Sequence, residues 1–113
     1  MTRVYLPTTL PGLARLRADG SLAASAERYV ADDATEEQEY AALMAAAADS
    51  AALLDGPGRR VVVVAEVADP DGVVPLRDVV AVHADPDDRA ADADPEDDLG
   101  WYATQEIEAL LAD

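Results

Sequence analysis

The chain of 113 residues has no cysteine, so thiolate nucleophiles, redox pairs, disulfides and cysteine-bound zinc are excluded by inventory. Phenylalanine is also missing, and one tryptophan and four tyrosines leave aliphatic residues to fill any core. There is no lysine or asparagine, all eight cations are arginine, and Ile107 is the only isoleucine. This usage reads as the codon bias of a G+C-rich genome. No run approaches the roughly 20 apolar residues of a membrane span. The start, MTRVYLPTTL, lacks the basic region and apolar stretch of a signal peptide, so the expected location is the cytoplasm.

Positive charge is scarce. Eight Lys+Arg against 24 Asp+Glu give a net charge of −16, which repels phosphate backbones and anionic membranes. Direct nucleic-acid binding and membrane association are therefore not expected. The same codon bias, alone or together with a saline habitat, can explain part of this acidity, so the charge is weak support for a basic partner.

A chain of this length fits one domain with one core, folding without a metal or disulfide. Arg3 to Leu6 alternates polar and apolar before Pro7, which predicts a short strand with Val4 and Leu6 facing the core. Thr8 or Thr9 can cap a following helix that tolerates Pro11 in its first turn, buries Leu10, Leu13, Ala14 and Leu16, and stops at Gly20. The stretch AERYVA (26–31) suits a short strand with Tyr29 and Val30 on opposite faces, although SLAASAERY also has helical propensity. Thr35 and Gln38 form a capping box, with Glu36, Glu37 and Glu39 at the positive end of a long helix. Its face is read as Tyr40, Leu43, Met44, Ala47, Ala51 and Leu54, with Gly56 and Pro57 as the stop.

RRVVVVAEVA (59–68) is β-branched and continuously apolar, which predicts a central strand buried on both faces. DPDG (69–72) is turn chemistry. DVVAVHA (78–84) reads as the returning strand, with Val80 and Val82 on one face and Val79, Ala81 and His83 on the other. Pro75 keeps the connection out of the sheet interior. DPDDRAADADPEDD (85–98) reads as a mobile acidic loop, and a last helix groups Ala103, Ile107, Leu110 and Leu111. The expected fold is α+β, a small mixed sheet of three to four strands packed by helices, in the order β-α-β-α-β-β-α within a single domain over 1–113.

RVYLPTT, EEQEYAAL, VVAVHAD and LGWYATQE together resemble a family of short, acidic actinobacterial proteins of unknown function, over nearly the whole chain. The chain departs from that pattern in a short second segment and a compressed acidic loop. The resemblance implies an actinobacterial source and a small intracellular α+β domain, and it implies no activity.

Two groups of residues stand out as candidate sites. Alternation places Arg3, Tyr5, His83 and, in one reading, Tyr29 on one sheet face. Arginine grips carboxylates or phosphates, tyrosine stacks or donates a proton, and a lone histidine exchanges one. The plainer reading makes them rim residues of a half-exposed sheet, and no nucleophile-base-orienter series accompanies them, so no catalytic residue is assigned. The second group is Trp101, Tyr102, Gln105 and Glu106. If Leu99–Tyr102 is extended, Trp101 points inward with Leu99 as a core anchor and Tyr102 points out. If one helix starts at Gly100, Trp101, Tyr102 and Gln105 form an exposed contact patch. Asp92, Asp94 and Glu96 do not form an EF-hand, because aspartate stands where that loop needs glycine and Pro95 stiffens the turn. No metal or cofactor is therefore expected.

The leading functional expectation is a small non-enzymatic binding or adaptor protein acting through protein contacts or self-association. The alternatives are a small-molecule site or enzyme using the Arg3, Tyr5 and His83 face, and a nucleic-acid mimic whose carboxylates occupy a basic protein cleft.

Overall fold

In the computed structural model, which describes residues 1–31, 35–54, 56–90 and 92–112, the elements follow local signals closely. Strand β1 covers Thr2–Thr8 and helix α1 covers Leu10–Asp19. Thr9 caps α1 by accepting from the Gly12 N–H at 3.2 Å, and Gly20 ends it in the left-handed conformation at φ 80, where a side chain would be strained. Two short strands follow, β2 at Ser21–Leu22 and β3 at Tyr29–Val30. Helix α2 spans Glu36–Leu53 and is capped by Thr35, which accepts from the Gln38 N–H at 3.2 Å. Next come β4 (Val61–Val67), β5 (Val74–Pro75), β6 (Val79–Ala84), β7 (Gly100–Tyr102) and helix α3 (Ile107–Ala112).

The main sheet has five strands in the order β3-β1-β4-β6-β7, and every neighbouring pair is antiparallel. β2 and β5 form a separate two-stranded ribbon. The expectation of a mixed sheet of three to four strands is corrected on both counts. The α+β class stands, and β4 is the central strand. Because β3 and β4 both run antiparallel to β1, they run parallel to each other with β1 between them. The β3-α2-β4 unit is thus a split crossover, so the βα units expected from sequence produce no adjacent parallel pair.

The two sheet faces carry separate cores. Val4, Leu6, Val61, Val63 and Val82 pack with Leu13 and Leu16 of α1 and Ile107 and Leu110 of α3. On the other face Tyr5, Val62, Val64 and Ala81 pack with Ala42, Ala46 and Ala47 of α2. The expected α2 face is one position out of phase: Tyr40 and Ala51 are exposed, and the buried stripe is Ala42, Ala46, Ala47 and Ser50. Small residues allow the helix backbone to approach the sheet, and the bulky Tyr40 is left at the flank. Ser50 is fully buried. Its Oγ donates to the Thr8 carbonyl at 2.6 Å and accepts the Val61 N–H at 2.8 Å, relaying the last bond of the β1-β4 ladder. In α1, Ala14 is exposed rather than buried with Leu13 and Leu16.

β6 also departs from simple alternation. Val64 pairs with Ala81 and Ala65 with Val79, so Val80 is an extra residue in a bulge. The bulge shifts the parity of the strand: Val79 and Val82 share the α1/α3 core, where alternation had grouped Val80 with Val82. No helix among the described residues is long and apolar enough to cross a membrane.

Candidate functional site

Strand register joins Pro7 to Val62, Val62 to His83 and His83 to Trp101, while Tyr5 joins Tyr29 and Val64. Register partners share a face, so Arg3, Tyr5, Tyr29, His83 and Trp101 all lie on the α2 side of the sheet. α2 packs over β3, β1 and β4 and closes most of that wall. Tyr5 is only 4% exposed. Arg3 is engaged twice, its Nη1 donating to Glu39 and its Nη2 to Glu66, both at 2.9 Å. Burial works against the Arg3 charge, but Glu66 and Tyr5 more than offset it and hold its pKa up. Burial also raises the Tyr5 pKa, a shift that Arg3 moderates. For His83, burial and then the Arg3 charge push the pKa below 6.5, which favours the neutral imidazole. On this shared face Tyr5 is buried, Arg3, Tyr29 and His83 are half-buried, and Trp101 is exposed.

The aromatic end is extended, as one reading expects, with Leu99 and Trp101 on one side, but that side is not closed over Trp101. Leu99 packs inward on the α2 side, while Trp101, two residues on, is 61% exposed because α2 does not cover β7. Tyr102 faces the other way and packs half-buried against the α1/α3 core. The expectation of Trp101 as core anchor is therefore corrected: the side closed at this edge is the one on which α3 follows directly. Gln105 and Glu106 are exposed in a 3-10 turn over Thr104–Glu106. Glu106 accepts the Ala103 N–H at 3.3 Å, and Thr104 Oγ1 donates to the Val79 carbonyl at 2.9 Å. Glu106 and Tyr102 border a recess with Arg59, whereas Gln105 lies beside Arg17 and Leu76. Trp101, Tyr102, Gln105 and Glu106 are thus divided among three surfaces, with Trp101 beside His83.

The acidic segment has an anchor that its composition does not reveal. Arg60 and Asp85 are each 2% exposed and paired through both carboxylate oxygens, Nε to Oδ2 at 2.9 Å and Nη2 to Oδ1 at 2.8 Å. The Arg60 guanidinium continues to the Pro95 and Asp97 carbonyls at 3.1 and 2.8 Å. Arg89 donates to the Asp94 carbonyl and to Asp97. The segment expected to be a mobile loop is thus tied to the start of β4 by buried Arg60 and half-buried Arg89. Ala91 within it lies outside the described residues.

A second arginine device borders a cleft of about 500 Å³ between α1, the second half of α2 and the 21–27 connection. Arg28 donates from Nε to the Ala26 carbonyl, from Nη1 to those of Pro70 and Gly72, and from Nη2 to those of Ala23 and Ala24, at 2.8–3.1 Å. All five N–H donors are used, and the connection is held against the 69–72 turn. Beyond Tyr5, β1 has no partner on its β3 side among the described residues. The Ala31 N–H donates to the Arg3 carbonyl at 3.4 Å, so the backbone groups of odd-numbered β1 residues point to that edge. Pro7 stands there, with no N–H to leave unpaired and its carbonyl directed at the cleft. Thr8, Asp19, Glu27 and Asp49 line the hollow with one cation, Arg15. Tyr29 donates its phenol to Asp49, which raises the Tyr29 pKa. Sequence reasoning missed this site because its residues, from Pro7 to Leu53, are far apart in the chain. The proline at a strand end was the one local signal.

No curated protein and no solved structure matches the chain. One family model does, over residues 2–111, in agreement with the expected resemblance to a family of unknown function. The chain belongs to that family, the family of unknown function DUF6912.

Proposed function

We propose that this protein is a small, cytoplasmic, non-enzymatic binding module that works through protein contacts, with the β7 edge of the sheet as its contact face. The observation that carries this reading is Trp101: the only indole in the chain stands 61% exposed on a three-residue edge strand, beside half-buried His83. A large exposed aromatic is costly in water unless a partner covers it, and such residues are frequent interface anchors. An edge strand offers backbone groups for an added strand. The net charge of −16 favours a basic partner by accelerating its encounter. The alternative of a ligand wall at Arg3, Tyr5 and His83 has less support, since α2 roofs Tyr5 and two carboxylates occupy Arg3.

Affinity purification from the native host, with sedimentation to count copies, tests this reading. The wild-type chain is expected to retain a protein partner or a second copy, and Trp101→Ala to lose it with the fold intact. Equal retention by both, or none by the wild type, would overturn the proposal.

A further inference from the structure

The cleft beside the open edge of β1 has an excess of acceptors. Every fully buried side-chain nitrogen and oxygen among the described residues has a hydrogen-bond partner. Thr8 is only 9% exposed, yet its Oγ1 makes no hydrogen bond to the described residues and so keeps solvent contact, and Thr8 is among the residues that line the cleft. It rests against Gly12, where a Cβ would come within 2.0 Å of the hydroxyl. The absence of a side chain at Gly12 keeps this floor open. Around it stand the Pro7 carbonyl and the carboxylates of Asp49, Asp19 and Glu27, against the single guanidinium of Arg15.

We infer that this cleft is a binding site for an aliphatic ammonium group, which Thr8 Oγ1, the Pro7 carbonyl and Asp49 receive as acceptors. An anion is disfavoured there. Three carboxylates outnumber one cation, and the start of α1 has few donors to offer, because the Gly12 N–H is already bonded to Thr9 and Pro11 has none. Leu16, Leu22 and Leu53 supply apolar wall for a carbon stem. A volume of about 500 Å³ is in the range of small-molecule sites. The five bonds from Arg28 fix the wall formed by residues 23–26 before any ligand arrives, which lowers the ordering cost of binding. The same chemistry is presented by a free diamine and by a lysyl side chain of another protein.

Amide NMR titrations with 1,5-diaminopentane, with a Gly-Lys-Gly peptide blocked at both ends, and with glutarate test the inference on the intact chain. Saturable shifts confined to Thr8, Gly12, Ser25 and Asp49 are expected with at least one of the two cationic probes and not with glutarate. The tighter cationic probe then identifies a free amine or a lysyl side chain as the source. Asp49→Asn keeps an acceptor for Tyr29 and is expected to weaken binding roughly tenfold, the scale of a lost charge-assisted hydrogen bond. Thr8→Val is expected to weaken it while Thr8→Ser retains it, with a dispersed amide spectrum confirming the fold in each case. Equal response to glutarate, shifts that spread without saturation over the exposed acids of 87–98, or unchanged affinity in both Asp49→Asn and Thr8→Val would overturn the site.

Discussion

Asp85 holds Arg60 by both carboxylate oxygens and also accepts the Arg60 backbone N–H at 2.8 Å, with both side chains 2% exposed. One aspartate therefore joins the start of β4 to the end of β6 and to the acidic segment beyond. Removing one member of such a pair strands a buried charge. Asp85→Ala is expected to destabilise the protein by about 3–5 kcal/mol, measured by urea unfolding. The double variant Arg60→Met, Asp85→Ala should lose less than the sum of the two single changes. Additive losses would show that the two side chains act independently.

The aromatic neighbours should separate cleanly. Trp101→Ala removes an exposed ring and is expected to change stability by about 0.5 kcal/mol or less, whereas Tyr102→Ala removes packing against the α1/α3 core and should cost roughly 1–3 kcal/mol. Indole emission from the free protein should be red-shifted and readily quenched by iodide or acrylamide. Blue-shifted, protected emission would place Trp101 back in a core.

His83 links stability to pH. Its folded pKa lies below 6.5 because of burial and the Arg3 charge, so in the interval below 6.5 the unfolded chain binds a proton that the folded chain does not. Stability should be full above pH 6.5 and fall as pH drops toward the folded value. His83→Gln should flatten the profile below pH 6.5, and imidazole NMR titration should give a midpoint below 6.5. A midpoint above 6.5 would reverse the sign and refute the assignment.

Ser50→Ala removes the hydroxyl that bridges Thr8 and Val61, leaving a buried carbonyl and a buried N–H without their partner. The expected cost is about 1–3 kcal/mol. Hydrogen exchange should quicken at Val61 before it does in the middle of β4. Unchanged exchange at Val61 would mean that the ladder closes directly without the serine.

Features set by neighbouring residues were readable from sequence. Thr9, Gly20 and Thr35 bound their helices because capping is local, and the run Val61–Val64 marks a central strand because no polar residue interrupts it. Orientation was harder to read where it depends on distant packing. The bulge at Val80 is created by pairing with Val64 and Ala65, and it overrides the alternation of VVAVHA. Whether Trp101 is covered depends on how far α2 extends across the sheet, and nothing in LGWYATQE encodes that reach. Arg60 and Asp85 look like ordinary members of a basic pair and an acidic run until the fold makes them partners. For the same reason the Thr8 and Asp49 cleft has no sequence signature, since its walls come from α1, α2 and the intervening connection.

The position of β1 in the sheet also bears on synthesis. Its full-length ladder is made with β4, from Thr2 opposite Val67 to Thr8 opposite Val61, while β3 covers only Val4 and Tyr5. The strand made first thus waits about sixty residues for its main partner, and until Val67 has left the ribosome Val4 and Leu6 have no closed sheet in which to hide. Contacts of such separation slow folding and leave apolar segments open to other chains. A nascent chain halted before Val61 should therefore be protease-sensitive and a client for chaperones, and one released after Ala84 should gain protection in the β1-β4-β6 region as a single cooperative step.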